Sequence, residues 1–328
     1  MREPSFWWRT AGLRSGLLSP LAAIYGAVAA RRMAQPGRTA GIPVVCVGNL
    51  TLGGAGKTPA AIAVARILDA AGRRPFVLSR GYGGTLPGPV QIDPARHRSA
   101  EVGDEPLLLA RIAPTVVSRD RAAGADAARA AGAGSIVMDD GFQSPGLHKD
   151  RSILVVDGRR GIGNGQVFPA GPLRAPLESQ LCRAQALLVV GSGTAGDRVA
   201  AAAQAHGLPV FHGRLEPDAQ ALALLKGRPV LAFAGIGDPD KFFATLRDAG
   251  IDVHAALPFA DHHRYRRFEA RELIERAKRD GLVPVTTEKD LARLAGQDDV
   301  SALAAVAQAL PVTLKVTEAD AFRNWVLT

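Results

Sequence analysis

From residue 44 onward the chain alternates between two hydrophobic rhythms. Apolar runs of strand length occupy residues 44–47, 75–78, 115–117, 135–138, 153–156 and 187–190, and alanine-rich segments of helical length, such as 59–71 and 122–131, lie between several of them. Continuous apolar runs suit strands buried on both faces. Their alternation with helices predicts right-handed crossovers and a parallel sheet covered by helices on both sides. Around 208–215 the pattern shortens to a strand-like link, and a second series follows. It has strand-like runs at 229–234, 253–257 and 283–286 and helical runs at 241–249 and 269–279. The pattern predicts an α/β protein in three parts: an N-terminal helix region, 1–38; a larger domain, 39–215, ending in a strand linker; and a smaller α/β domain, 216–328.

Ahead of this alternation, residues 15–30 (SGLLSPLAAIYGAVAA) carry no charge and are flanked by Arg14 and by Arg31 and Arg32. The stretch is shorter than the roughly 20 residues a spanning helix needs, and Pro20 disturbs a longer one. Trp7 and Trp8 precede it, in the interfacial position that indoles favour. A helix lying at a membrane surface accounts for this pattern. A core helix and a cleaved signal are the alternatives, the second opposed by the lack of a clear small-residue cleavage site before a secretory-looking chain.

Composition sharpens this reading. A chain of 328 residues, 47% hydrophobic and 22% charged, is folded and long enough for two cores. A net charge of +9 calls for an anionic partner, whether nucleic acid, a membrane surface or a phosphorylated substrate. With aromatics at 5% and neither a zinc finger nor an aromatic RNA-binding signature, nucleic acid has little support. Cys46 and Cys182 lack disulfide or zinc-site spacing and read as buried small hydrophobes in a reducing compartment.

The first chemical motif follows the run at 44–47. GNLTLGGAGKTP nearly matches the phosphate-loop pattern Gly-x4-Gly-Lys-[Ser/Thr], with Thr51 in place of the first glycine. Between a strand and a helix, residues Thr51, Leu52, Gly53, Gly54, Ala55, Gly56, Lys57 and Thr58 form a candidate nucleotide site. Backbone N–H groups cradle phosphate, Lys57 reaches the β/γ-phosphates and Thr58 binds Mg²⁺. The first glycine shapes the turn without contacting phosphate through a side chain, so Thr51 weakens the match and leaves the chemistry intact. The plain alternative is a glycine-rich turn.

Asp139 and Asp140 end the run at 135–138 and supply the acidic group a phosphate loop needs for its metal, the alternative being an Asp-Gly turn. In GDEP, Asp104 has the look of a helix N-cap. Asp261, His262 and His263 sit among Arg264, Arg266, Arg267 and Arg271, either a proton-accepting and anion-binding group or a solvated basic turn. Lys289 and Asp290 in TTEKD are adjacent, unlike the Lys-x-Asp of guanine-selecting motifs, and read as a capped helix start. Gly161, Gly163 and Gly165 are followed by no helical run and read as a loop.

Taken in order, the segments GNLTLGGAGKTP, SRGYGG (79–84), GDEP (103–106), DDGFQ (139–143), GNGQVFPAGPLR (163–174), AGIGDPDKFF (234–243), FADHHRY (259–265) and TTEKD (286–290) resemble the tetraacyldisaccharide 4'-kinase family over nearly the whole chain. Thr51 is similar to that family's residue at this position. The resemblance implies a P-loop kinase domain whose active-site cleft the smaller domain closes. The implied reaction uses ATP, with Mg²⁺, to phosphorylate the 4'-hydroxyl of a lipid-linked acylated glucosamine disaccharide 1-phosphate in lipid A biosynthesis. It also implies a peripheral or monotopic protein on the anionic cytoplasmic face of the bacterial inner membrane, with no nucleic acid or obligate protein partner. By position, Lys57 and Thr58 hold phosphate and metal, Asp139 and Asp140 serve the metal, Asp104 is the base and His262 its partner. One departure stands out: Ala175 occupies a position where the family carries glutamate, with Glu178 nearby in sequence. The rival readings are a membrane-associated nucleotide switch that phosphorylates no small molecule, and a soluble P-loop kinase of a non-lipid metabolite.

Overall fold

Among the described residues thirteen strands are laid down in chain order: β1 Val44–Asn49, β2 Pro75–Ser79, β3 Val90–Gln91, β4 Thr115–Val117, β5 Ser135–Asp139, β6 Arg151–Asp157, β7 Ala186–Val190, β8 Val210–Pro217, β9 Val230–Ala234, β10 Val253–Pro258, β11 Val283–Thr287, β12 Gln308–Leu310 and β13 Val312–Val316. They form two sheets in the computed structural model, which describes residues 3–54, 56–295 and 297–328. The larger has the order β13-β8-β7-β6-β1-β5-β2-β4-β3, and the smaller β10-β9-β11-β12. Pairing is parallel throughout the smaller sheet and across the larger one, except at its two edges, β3 with β4 and β13 with β8. This is the predicted α/β fold.

The apolar runs follow from this layering. All six residues of β1 are buried, and successive side chains feed opposite cores. Val44 and Cys46 pack with helices Arg121–Ala130 and Thr194–Ala205 on one face. Val45 and Val47 pack with Lys57–Ala70 on the other. The last helix, Ala319–Leu327, adds Phe322 and Trp325 to that second face, their ring centroids 5.2 and 6.2 Å from Phe211.

Three expectations change. The link at 208–215 is a full strand of the large sheet, and β13 returns to pair with it, Val312 opposite Pro217. The elements of the smaller sheet therefore sit between β8 and β13, and the chain from residue 312 onward rejoins the large sheet rather than completing the smaller unit. The N-terminal helix runs from Leu13 to Met33, through Pro20. Pro20 has no N–H to offer Gly16, and the Ser19 hydroxyl donates to that carbonyl instead, at 2.7 Å. By length and composition this helix is long and apolar enough to cross a membrane. Its buried residues are the small Ser15, Ala22 and Gly26, while Leu13, Leu17, Leu21, Ile24 and Val28 are exposed. Finally, Cys182 lies at the surface, and only Cys46 is buried as expected.

Candidate active site

The glycine loop leaves β1 and enters Lys57–Ala70 through Gly56. Gly53 and Gly56 have φ of 93° and 88°, a left-handed conformation that glycine adopts without a Cβ penalty. Two donors hold the Gly53 carbonyl: the Asn49 amide at 3.0 Å and Lys57 Nζ at 3.3 Å. Thr51 is buried, and its carbonyl accepts from Arg174 Nε at 2.9 Å. Its place in the loop is thus fixed through the backbone. Leu52, Gly53, Gly54, Gly56, Lys57 and Thr58 all line one large cleft of about 1650 Å³; Ala55 lies outside the described residues.

Asp139 and Asp140 stand at the tip of β5, where Val47 of β1 is the register partner of Asp139. Their surroundings differ sharply. Asp140 has φ of 50°, rare for a non-glycine residue, and its carboxylate takes a two-pronged pair from Arg174, at 2.6 and 3.1 Å. Burial alone would raise its carboxyl, but Lys57 and Arg174 outweigh it and hold it at about 2. Both carboxylate oxygens of Asp139 are buried with no hydrogen-bond partner among the described residues. Burial, then the charges of Glu105 and Asp140, push its carboxyl up to about 7. A buried, unpartnered carboxylate within the field of Lys57 is the donor a divalent cation satisfies, so the residues present fit Mg²⁺.

Asp104 opens the short helix Asp104–Leu109, but its side chain does not cap it. Oδ2 accepts from Arg293 Nε and Nη2 at 2.8 and 2.6 Å, and Oδ1 lies 3.3 Å from His262 Nδ1. Burial works to raise the Asp104 carboxyl, yet the His262 hydrogen bond and the Arg293 charge hold it well below the carboxylate range. In return, the Asp104 hydrogen bond raises His262 above its ordinary value against the pull of burial. His262 has φ of 55°, fixed by its N–H on the Gly235 carbonyl at 3.0 Å. It lines the cleft, with Asp104 buried behind it. His263 turns away, pairs with Glu269 at 2.9 Å and stacks on Phe259. Among the nearby arginines, Arg264 reaches the Gly83 carbonyl at 3.3 Å.

The structure also joins residues that local patterns left unassigned. Arg293 Nη1 reaches Asp290 Oδ1 at 2.7 Å, and Asp290 further accepts from Tyr265, Thr287 and the Gly235 N–H. Glu105 lies 3.5 Å from the Thr58 hydroxyl and 2.5 Å from Lys289 Nζ. Arg121 donates to the carbonyls of Leu78 and Asp139 under the strand tips. Glu105 and Lys289 lie in motifs quoted above and Arg293 one helical turn beyond one, while Arg121 lies in none; the contacts Glu105–Lys289, Arg293–Asp104 and Arg121–Leu78 join residues distant in sequence.

A family model described as Tetraacyldisaccharide-1-P 4'-kinase matches residues 14–328. The chain belongs to the tetraacyldisaccharide 4'-kinase family. Curated relatives with that name include one from Rhodopseudomonas palustris (strain BisB18), 58% identical over 327 residues that cover 100% of this chain and 95% of the relative. Another, from Methylobacterium sp. (strain 4-46), is 58% identical over 322 residues, covering 98% and 95%. A crystal structure of LpxK from Aquifex aeolicus, described as an "apo" form in complex with ATP, aligns with a TM-score of 0.75 at 27% identity, covering 96% of this chain and 99% of that one.

Within this 4'-kinase fold Ala175, where the resemblance implies glutamate, has a definite setting. Ala175 is fully buried, and its carbonyl accepts from Gln180 at 2.7 Å. Glu178 lies elsewhere. It is exposed and pairs with His206 at 2.8 Å, next to Cys182 and away from the cleft.

Proposed function

We propose that the cleft transfers the γ-phosphoryl group of ATP to the 4'-hydroxyl of a tetraacylated glucosamine disaccharide 1-phosphate, with Asp104 as the base and His262 as its partner. One observation carries this reading: a glycine loop with Lys57 and Thr58 lines the same cleft as His262, with Asp104 buried 3.3 Å from His262 Nδ1 and an unpartnered Asp139 buried at the tip of β5. A loop alone serves many nucleotide-binding proteins; a proton-accepting pair beside it suits a hydroxyl acceptor.

The transition state of phosphoryl transfer is largely loose, so the attacking hydroxyl needs orientation more than a strong base. That suits Asp104, which ion pairing makes a weak base. Arg293 engages Oδ2 twice, leaving Oδ1, beside His262, to take the proton. Because His262 fronts the cleft, the two side chains bind that proton as one unit. Lys57 offsets charge on the transferring group. Mg²⁺, when bound, neutralises charge on the phosphate oxygens; Thr58 and Asp139 would hold it, while Asp140, engaged by Arg174, orients the loop.

The exposed stripe of Leu13, Leu17, Leu21, Ile24 and Val28 supports docking at the cytoplasmic membrane face. Arg14, Arg31 and Arg32 meet anionic headgroups at about 1 kcal/mol per charge. Phe6, Trp7, Leu18 and Phe168 line the cleft beside this helix, so acyl chains can stay in the bilayer while the sugar reaches the dyad. The test is a thin-layer assay with labelled ATP and lipid acceptor in detergent micelles. Label recovered on the lipid supports the reading; nucleotide hydrolysis without labelled lipid, as a switch would give, overturns it.

A further inference from the structure

Lys289 lies in the first turn of a helix. The helix Glu288–Ala295 follows β11 in the smaller unit and carries two cations one turn apart, at 289 and 293. Residues four apart share a helix face. Arg293 grips the proposed base, while Lys289 Nζ sits 2.5 Å from Glu105 Oε1, in the cleft that Lys57 and Thr58 also line. Glu105 Oε1 is in turn 3.5 Å from the Thr58 hydroxyl. One rigid element thus delivers a positive charge next to the nucleotide loop and another to the base.

The space between these two groups is where a phosphoryl group in flight must pass if the loop holds the donor and the dyad holds the acceptor. Its charge spreads over three equatorial oxygens, and fixed cations aimed there lower the barrier. Lys57 comes from the loop; a second cation from the opposite unit meets the same oxygens from another side. Burial works against the Lys289 charge, but Glu105 and Asp104 outweigh it and keep the ammonium protonated. Glu105 therefore acts as a berth for a charged lysine in the cleft.

We propose that Lys289 is a second phosphoryl-binding catalytic residue, supplied by the smaller unit and positioned by Glu105. This rests on the kinase reading of the site. A plain salt bridge between the two units is the competing role, and it makes different demands on the residue. Any cation that reaches Glu105 satisfies a bridge, whereas a lysine on a phosphoryl group acts as a compact point charge that a planar guanidinium replaces poorly.

The test compares wild type, Lys289→Met and Lys289→Arg for lipid phosphorylation with saturating ATP and acceptor, for KM of ATP, and for thermal unfolding. Loss of one donor to a developing charge costs about 10²–10³ in kcat, so Lys289→Met should lose that much with KM for ATP nearly unchanged. Lys289→Arg should unfold at the wild-type temperature yet stay about tenfold slow. Full activity in Lys289→Arg, or a Lys289→Met kcat within about threefold of wild type, overturns the proposal. Where Lys289→Met fails to fold, the arginine variant decides alone. A wild-type enzyme that labels no lipid overturns the kinase reading itself, a separate outcome.

Discussion

Replacing Arg293 with methionine removes the group that joins the base to the smaller unit. The wild-type guanidinium makes contacts at 2.8 and 2.6 Å to Asp104, 2.7 Å to Asp290 and 2.6 Å to the Gly235 carbonyl. The losses are unequal. Asp290 keeps Tyr265, Thr287 and the Gly235 N–H, and the Gly235 carbonyl keeps the His262 N–H. Asp104, 5% exposed, keeps only His262 at 3.3 Å. Stranding one member of a buried pair costs about 3–5 kcal/mol. Arg293→Met should therefore be destabilised by about that much in urea unfolding at neutral pH, compared at equal m values. Combining it with Asp104→Asn removes the stranded charge, so the double variant should be more stable than the sum of the single effects by up to about 3 kcal/mol. Acid gives the sign. Because Asp104 is held below the ordinary carboxyl range, its pair contributes fully above that range and is lost as pH falls through it. The gap between wild type and Arg293→Met should close in acid. Additive single effects, or a gap independent of pH, would refute this account of the pair.

Asp104→Asn should lose about 10²–10⁴-fold in kcat while ATP affinity holds, and NMR should show the His262 titration moving down, since the Asp104 hydrogen bond is what raises it; an unmoved midpoint contradicts the pairing. Asp139→Asn should weaken Mg²⁺-dependent ATP binding, measured by calorimetry. Without metal, the wild-type Asp139 carboxyl, raised from 3.8 to about 7, favours the fold at low pH and loses that contribution as pH climbs through 7. Denaturation in chelator should thus show Asp139→Asn gaining on wild type between pH 4 and 8, and parallel curves would argue against a buried, unpartnered carboxyl. Leu17→Glu combined with Ile24→Glu should release the protein from anionic vesicles in a flotation assay, each change forfeiting about 1.5–3 kcal/mol of apolar burial. Both positions face solvent, so unchanged flotation cannot be ascribed to misfolding and would exclude this face.

The fold was largely legible because its central strands are buried on both faces and so appear as unbroken apolar runs. The strands at the far edge were harder. In β8, Phe211 and Gly213 are buried while His212 and Arg214 are exposed, and β13 gains its place only by pairing across nearly a hundred residues. The same division holds in the site. Asp139 and Asp140 lie at a strand tip and Lys57 and Thr58 open the helix after the glycine loop, where local context announces them. Arg293 and Lys289 act on residues more than 180 positions away, and their own neighbourhood looks like an ordinary helix. Cys182 was misjudged because a short segment around 177–181 shows too little periodicity to reveal which side faces water.

The return of β13 to β8 fixes the mechanics of the molecule. The Asp218 N–H bonds the Pro311 carbonyl at 2.9 Å, so the chain leaves the large sheet and re-enters it side by side. Topologically, everything from 219 to 310 is a long insertion at the turn of one β-hairpin. Both cations of Glu288–Ala295 lie within this insertion, so the grip on the base and the charge near the nucleotide loop are both tied to the large sheet through the same two adjacent straps.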